Sequence, residues 1–121
     1  ETIIPNLVVT AGKNLIASRL KDTTDAAISH MAIGTGSTAA AAGNTTLGTE
    51  AGRVALTSTT VTANAVAYVA TFGAGTGTGA ITEAGLFNAS SSGDMLCRTV
   101  FSVINKGAAD TLGITWTVTV N

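Results

Sequence analysis

The stretch TLGITWTVTVN, residues 111–121, alternates apolar and small polar residues without interruption. Its apolar positions are Leu112, Ile114, Trp116, Val118 and Val120. Its other positions are Gly113, Thr115, Thr117, Thr119 and Asn121. Because side chains alternate between the two faces of an extended chain, this period of two predicts a β-strand. One face of that strand is expected in a core, and the threonine face is expected to be polar.

Several further segments before residue 111 have the composition of strands. They are AISHMAIGTG (27–36), RVALTSTTVTA (53–63), AVAYVATFG (65–73), AITEAGLFNA (80–89) and MLCRTVFSVIN (95–105). The turn signals SSSGD (90–94) and NKGAAD (105–110) separate the last of them, and residues 37–52 are expected to form a long loop. Short strands at hairpin spacing predict a mainly β fold, either an antiparallel β-sandwich or a partly open barrel.

One segment near the N-terminus has helical spacing instead. TAGKNLIASRLK, residues 10–21, places Ala11, Leu15, Ile16 and Leu20 three to five positions apart, with Thr10 as the expected N-cap. The preceding residues 1–9 contain Pro5 and β-branched residues, and so predict an extended arm or edge strand. The expected organisation is an arm over 1–9 and a single β-rich domain over 10–121. Since residue 1 is Glu rather than Met, we expect a trimmed chain.

Composition excludes several function classes. Charged residues make up only 11% of the 121 residues, against about 25% in ordinary domains, and the net charge is −1. Such a chain lacks the basic surface that binds nucleic acid. No apolar run reaches the roughly 18 residues that span a membrane. The single cysteine excludes an intrachain disulfide and a thiolate zinc site.

The glycine-rich stretch GAGTGTGAITEAGLF, residues 73–87, raises the question of a phosphate-binding loop. Residues 75–80 and 34–39 both match G-x-G-x-x-A formally. A dinucleotide-binding loop leads directly into a helix, whereas strand-like residues follow position 80, and neither match has a P-loop lysine. We therefore predict no cofactor, and a mobile connection between strands that contains Gly73, Gly75, Gly77 and Gly79.

Few side chains suggest chemistry. His30 and Cys97 form a conceivable nucleophile pair, but Cys97 lies in an apolar segment that favours an inert packing role. The carboxylates of Glu50, Glu83 and Asp94 are scattered along different segments. We expect Glu83 to accept hydrogen bonds from loop amides or to pair with Arg53 or Arg98. The chain is accordingly predicted not to be an enzyme.

The uncharged threonine positions favour an assembly role instead. An exposed strand face with hydrogen-bonding capacity and little charge suits packing against another protein. The expected contacts are Thr115, Thr117 and Thr119, the four glycines at 73–79, and Ile3, Ile4 and Pro5 of the N-terminal arm. The expected partners include copies of the chain itself, giving a homo-oligomer.

Four segments in a fixed order resemble one known family. They are TAGKNLIASRL (10–20), ISHMAIGTG (28–36), LGTEAGRVALTS (47–58) and ITEAGLFNASSSGDMLCRTVF (81–101). They are similar to the N-terminal module of tailed-bacteriophage tail-collar fibre proteins. The motifs that carry the resemblance are a G-x-G at 34–36, an L…E…R pattern on Leu47, Glu50 and Arg53, and an E-x-G-L-F at 83–87.

The resemblance covers about residues 10–105 and includes no catalytic motif. It implies a virion protein, made in the bacterial host cytoplasm, that attaches tail fibres to the baseplate or neck. Capsid decoration as a cement protein on the major capsid protein stays open, and so does a carbohydrate-binding β-sandwich. The last alternative has only Trp116 and Tyr68 for sugar stacking, and both fall on predicted inward faces.

Overall fold

The computed structural model describes residues 6–120, and Ile3, Ile4 and Pro5 of the expected arm lie outside them. The elements are β1 Leu7–Val8, α1 Thr10–Lys21, β2 His30–Gly34, β3 Glu50–Ala55, β4 Ser58–Thr62, β5 Ala65–Phe72, β6 Gly79–Phe87, β7 Met95–Lys106 and β8 Leu112–Thr119. Strands account for 48% of the chain and helix for 10%, so the mainly β prediction is confirmed.

The strands form two antiparallel sheets. The larger has five strands in the order β1-β7-β6-β2-β3, and the smaller has three in the order β4-β5-β8. Neither sheet closes on itself within residues 6–120, which leaves the sandwich rather than the barrel. The hairpin of β6 and β7 turns at residues 88–94, as the SSSGD signal predicts.

Two apolar clusters lie on opposite faces of the five-stranded sheet. The cluster between the sheets contains Met31, Ile33, Tyr68, Ala70, Phe72, Ile81, Ala84, Leu86, Leu96, Cys97 and Trp116. The second cluster contains Val9, Ala32, Leu47, Phe87 and Met95. The long loop 35–49 contributes Leu47 to this second cluster, so both faces of the larger sheet are covered.

Strand β8 is regular over its whole length. It pairs with β5 without a register shift, from Phe72↔Leu112 to Ala65↔Thr119. Trp116 is buried and Thr115, Thr117 and Thr119 are exposed, so the predicted face assignment is confirmed for them. Val120, which was expected on the inner face, is exposed because it lies one residue beyond the strand.

Helix α1 has the predicted bounds, but its details differ from the prediction. The N-cap residue is Val9 without a side-chain cap, and the N–H of Thr10 donates instead to the carbonyl oxygen of Ala42 at 2.8 Å. The expected apolar stripe is not buried as a unit, because Leu20 is 84% exposed. The helix comes into close contact with β7 at Gly12, where a side chain would overlap the carbonyl of Leu96.

Two other segments differ from or refine the expectation. Residues 53–63 were expected to form one strand. Instead, their first part is the end of β3 in the five-stranded sheet, and their later part is β4 in the three-stranded sheet. The chain crosses from one sheet to the other at Leu56 and Thr57. Their N–H groups donate to the carbonyl oxygens of Ser29 and Val69, respectively. At the N-terminus, β1 is an edge strand on β7 and the following Val9 is fully buried, so residues 7–9 pack on the domain.

Candidate functional site

An ion pair is buried on the five-stranded sheet, on the face away from β8. Glu83 on β6 is 0% exposed and Arg98 on β7 is 2% exposed. Nε and Nη2 of Arg98 both lie 3.0 Å from Oε1 of Glu83. The register places Arg98 opposite Gly85, two residues from Glu83, so both side chains emerge on the same face.

Backbone amides of the loop 35–49 use the remaining acceptor positions of Glu83. The N–H groups of Gly36 and Thr49 donate to Oε2 at 2.7 and 2.8 Å, and the N–H of Gly48 donates to Oε1 at 2.7 Å. The prediction that Glu83 accepts bonds from loop amides is confirmed, but the donors belong to the loop 35–49 and not to the glycine-rich run that directly precedes β6. Of the two expected arginine partners, Arg98 makes the pair.

Arg98 extends the same cluster to the middle of the loop. Its Nη1 donates to Oδ1 of Asn44 at 3.1 Å and its Nη2 donates to the carbonyl of Thr38 at 2.9 Å. The hydroxyl of Thr82 donates to the carbonyl of Gly36 at 2.7 Å. We call Glu83, Arg98 and these loop partners the Glu83 cluster. The cluster holds the loop 35–49, which contains no helix or strand, against the sheet at both ends and at its centre.

The Glu83 carboxylate is held ionised by this environment. Burial by itself would raise the pKa of Glu83, but the bonds from Thr49, Gly48 and Gly36 and the bond from Arg98 outweigh it, so the pKa lies below its usual value. These donors all stabilise the charged form. Since every donor belongs to the fold, the charge is used within the protein and is not presented to a ligand.

The G-x-G motif is explained by this close approach. A Cβ at Gly36 would lie 2.5 Å from Oε2 of Glu83, and one at Gly34 would overlap the carbonyl of Thr49. Both glycines are therefore required because the loop backbone passes directly over the carboxylate. The GTGSTA match to a dinucleotide loop thus has a packing explanation.

A second cluster surrounds Arg53 on β3. Its Nε and Nη2 donate to the carboxylate of Glu50 at 3.1 and 2.7 Å, and its Nη1 donates to the carbonyls of Ala89 and Ser92. The guanidinium also lies 3.7 Å from the centroid of the Phe87 ring. Arg53 therefore ties the edge strand β3 to the turn between β6 and β7.

The expected candidates for chemistry are not brought together. Burial raises the pKa of the Cys97 thiol to about 12, so the thiol stays protonated at neutral pH. Nδ1 of His30 lies 2.7 Å from the hydroxyl of its neighbour Ser29. Glu83 and Glu50 belong to separate clusters, and Asp94 lies in the hairpin turn. Within residues 6–120 no group of three metal-binding side chains is close enough to hold an ion.

The concave surface beside the Glu83 cluster is shallow. A depression of about 420 Å³ is lined mainly by residues 43–48 with Thr38 and Arg98. Arg98 is almost completely buried at its base and already donates to three partners. The depression therefore offers loop backbone and small polar groups, without a free charged group.

The glycine-rich run connects β5 to β6 and leads into a strand, as predicted. The N–H of Gly75 donates to the carbonyl of Ala108 at 2.8 Å, and the carbonyl of Gly73 accepts from Nζ of Lys106 at 2.8 Å. Gly77 has a φ of +68° and is buried, and a side chain there would overlap Ile33. Gly75 is exposed and Gly79 is partly exposed, whereas Gly77 packs within the chain.

Lys106 is a buried residue that the sequence reasoning missed. It is only 3% exposed, and its single side-chain hydrogen bond among the described residues goes to Gly73. A lysine within the turn signal NKGAAD is typical of a solvent-facing position, so no local signal indicated burial. Its bond joins the β5–β6 connection to the end of β7.

The predicted assembly residues therefore occupy different places. Thr115, Thr117 and Thr119 form one exposed row on β8, while the glycine run lies at the β5–β6 connection.

Comparisons with protein-family models, curated proteins and solved structures find no match to the chain. The one helix within residues 6–120 has 12 residues, and no helix there is long and apolar enough to cross a membrane.

Proposed function

We propose that the protein is a non-enzymatic structural component of a tailed-bacteriophage virion, where it attaches tail fibres to the baseplate or neck. The observation that carries the proposal is that the motifs resembling the tail-collar module contact one another. Gly36 and Glu83 share a hydrogen bond, Glu50 pairs with Arg53, and Arg53 stacks on Phe87. Motifs that are far apart in sequence thus join in one structural unit, as expected of an inherited module.

The surface chemistry supports a role in assembly. Charged side chains are scarce in the sequence, and three of them are buried inside the protein and so do not add charge to its surface. They are Glu83, Arg98 and Lys106. The exposed threonine row of β8 is hydrogen-bonding and uncharged. A surface of this kind repels a neighbouring subunit weakly and can pair with it through polar groups.

The buried aromatic residues weigh against the carbohydrate-binding alternative. Trp116 and Tyr68 are 6% and 8% exposed, so neither ring presents a face on which a sugar could stack. The proposed partners are other virion proteins and further copies of the chain, and the proposed location is the particle. A contact by Ile3, Ile4 and Pro5 stays a prediction.

Immunogold electron microscopy of the phage particle whose genome encodes this chain tests the proposal. Antibodies against the purified protein should label the neck, baseplate or fibre attachment point. Label distributed over the head would instead support capsid decoration. A particle without label, prepared alongside a labelled control for the major capsid protein, would contradict a virion role.

A further inference from the structure

Strand β8 is an edge strand among residues 6–120, and two hydrogen bonds show which of its backbone groups point away from β5. The N–H of Val120 donates to the carbonyl of Asn64 at 2.8 Å, so the even-numbered residues of β8 turn their N–H and C=O groups toward β5. On the far side of β5, the carbonyl of Val69 accepts from Thr57 of the β3–β4 connection, which agrees with this alternation. The backbone groups of the odd-numbered residues Gly113, Thr115, Thr117 and Thr119 therefore point away from β5.

These four residues are exposed, and the sheet order places no described strand beside them. The strand is eight residues long, has no register shift, and contains neither proline nor a charged residue. Proteins commonly block an edge strand with lysine, proline or a bulge to prevent pairing with another chain. None of these devices is present on β8, so its edge is competent to pair with an added strand.

Trp116 at the centre of β8 gives a second observation. Its Nε1 is the one buried side-chain nitrogen or oxygen atom among residues 6–120 that lacks a hydrogen-bond partner. Trp116 is 94% buried by its own sheet and by the core, yet it belongs to the edge strand. A buried indole N–H normally finds an acceptor, so the centre of β8 is where the described part of the chain leaves a buried polar group unsatisfied.

The spacing of the outward residues is self-complementary about Trp116. In an antiparallel pair centred on Trp116, Gly113 would stand opposite Thr119 of the second strand and Thr115 opposite Thr117. Each of these pairs would exchange two backbone hydrogen bonds. A shift of the centre to Thr115 or Thr117 leaves an outward residue without a partner. A second copy of β8, related by a two-fold axis, thus satisfies the whole edge.

We propose that two copies of this protein pair antiparallel through β8, joining their three-stranded sheets into one six-stranded sheet centred on Trp116. This inference shares with the proposed function only the idea that the protein assembles. Immunogold label absent from the particle would remove the virion role and leave the β8 pairing intact. Absence of a dimer would remove the pairing and leave the virion role intact.

Sedimentation velocity over a concentration series tests the pairing with two matched proline variants. T117P removes an outward N–H of β8, and T59P removes the equivalent outward N–H on β4, the opposite edge of the same sheet. We expect the wild type and T59P to sediment as dimers and T117P to sediment as a monomer, with a dissociation constant weakened at least ~10-fold. A monomeric wild type, or equal weakening by T59P, would overturn the proposal.

Disulfide trapping tests the register and does not depend on T117P folding. Under mild oxidation, a mixture of the T115C and T117C variants should give more covalent dimer than either variant alone, because positions 115 and 117 face each other. Buried Cys97 does not compete, since its thiol stays protonated. Equal cross-linking in the mixture and in the separate samples would contradict a two-fold axis at Trp116.

Discussion

The two sheets of this protein differ most in how they use charge. The five-stranded sheet contains Glu50, Arg53, Glu83, Arg98 and Lys106, and each of these side chains has a hydrogen-bond partner within the chain. The three-stranded sheet contains no charged residue in β4, β5 or β8. The first sheet is covered on both faces, whereas the outer face of the second is exposed.

This difference separates the part of the molecule that maintains the fold from the part that is available for contact. The Glu83 cluster replaces regular secondary structure by holding the loop 35–49 with directed hydrogen bonds. The three-stranded sheet needs no such cluster, because its strands pair regularly and share one apolar core. The β8 edge, which has no strand beside it among residues 6–120, and the exposed threonine face are consequently available to another protein.

The largest expected effect comes from breaking the Glu83 cluster. Glu83→Gln leaves Arg98 buried without its carboxylate and turns an amide N–H₂ toward backbone donors. We expect the free energy of unfolding to fall by about 3–5 kcal/mol, measured by urea denaturation. The matched control is Glu50→Gln, whose partly exposed pair with Arg53 should contribute no more than about 1 kcal/mol. Equal losses in the two variants would contradict the role given to the buried Glu83 cluster in holding the loop 35–49.

Removal of the aromatic core residue of β8 comes next. Trp116→Ala should reduce the free energy of unfolding by about 3 kcal/mol, the lower end of the range for aromatic truncation, because an edge strand can relax into the space. Thermal melts at a fixed protein concentration measure the effect. An unchanged midpoint together with lost association would mean that Trp116 acts as a contact residue rather than as part of the core.

Much of this contrast follows from local sequence, but its long-range partners do not. The period of two over residues 112–119 predicts β8 and its exposed threonines, and SSSGD predicts the β6–β7 turn. The choice of Arg98 over Arg53 as the partner of Glu83 depends on the β6–β7 register, which no local pattern specifies. The division of residues 53–63 between sheets depends likewise on packing, since the segment is strand-like throughout.

The exposed helix residues illustrate the same point. Leu20 has the spacing of a core position, but α1 approaches β7 through Gly12, whose missing side chain permits contact with the backbone of Leu96. That contact sets the rotation of the helix and leaves Leu20 in solvent. A stripe of apolar residues does not reveal such a glycine contact, so the prediction was right for Leu15, which is buried, and wrong for Leu20.

The stability of the protein at low pH should depend on Glu83 in the five-stranded sheet. Because the pKa of Glu83 is lowered in the folded state, the unfolded chain binds its proton at higher pH than the folded chain does. The stability due to Glu83 is therefore present above the ordinary carboxyl pKa of about 4.3 and is lost as pH falls through the folded value. Urea denaturation across this range should give a steeper loss for the wild type than for Glu83→Gln. Parallel pH profiles would contradict this assignment.

A smaller effect is expected at Cys97. Cys97→Ser places a hydroxyl in the core and should cost about 1–3 kcal/mol of unfolding free energy, with incorporation into the proposed virion retained. His30→Gln, at a partly exposed position, should change stability less and should also retain incorporation. Quantitative blotting of purified particles measures both. Loss of function by either variant with its fold intact would return the nucleophile-pair interpretation.

Hydrogen exchange of individual backbone amides, in dilute protein and in the proposed virion, tests the central contrast most directly. We predict that the amides of Gly113, Thr115, Thr117 and Thr119 exchange freely in dilute protein and become protected on assembly. The amides of Gly36, Gly48 and Thr49, which already donate to Glu83, should be protected equally in both states. Unchanged exchange along β8, with new protection confined to the loop 35–49, would contradict the account.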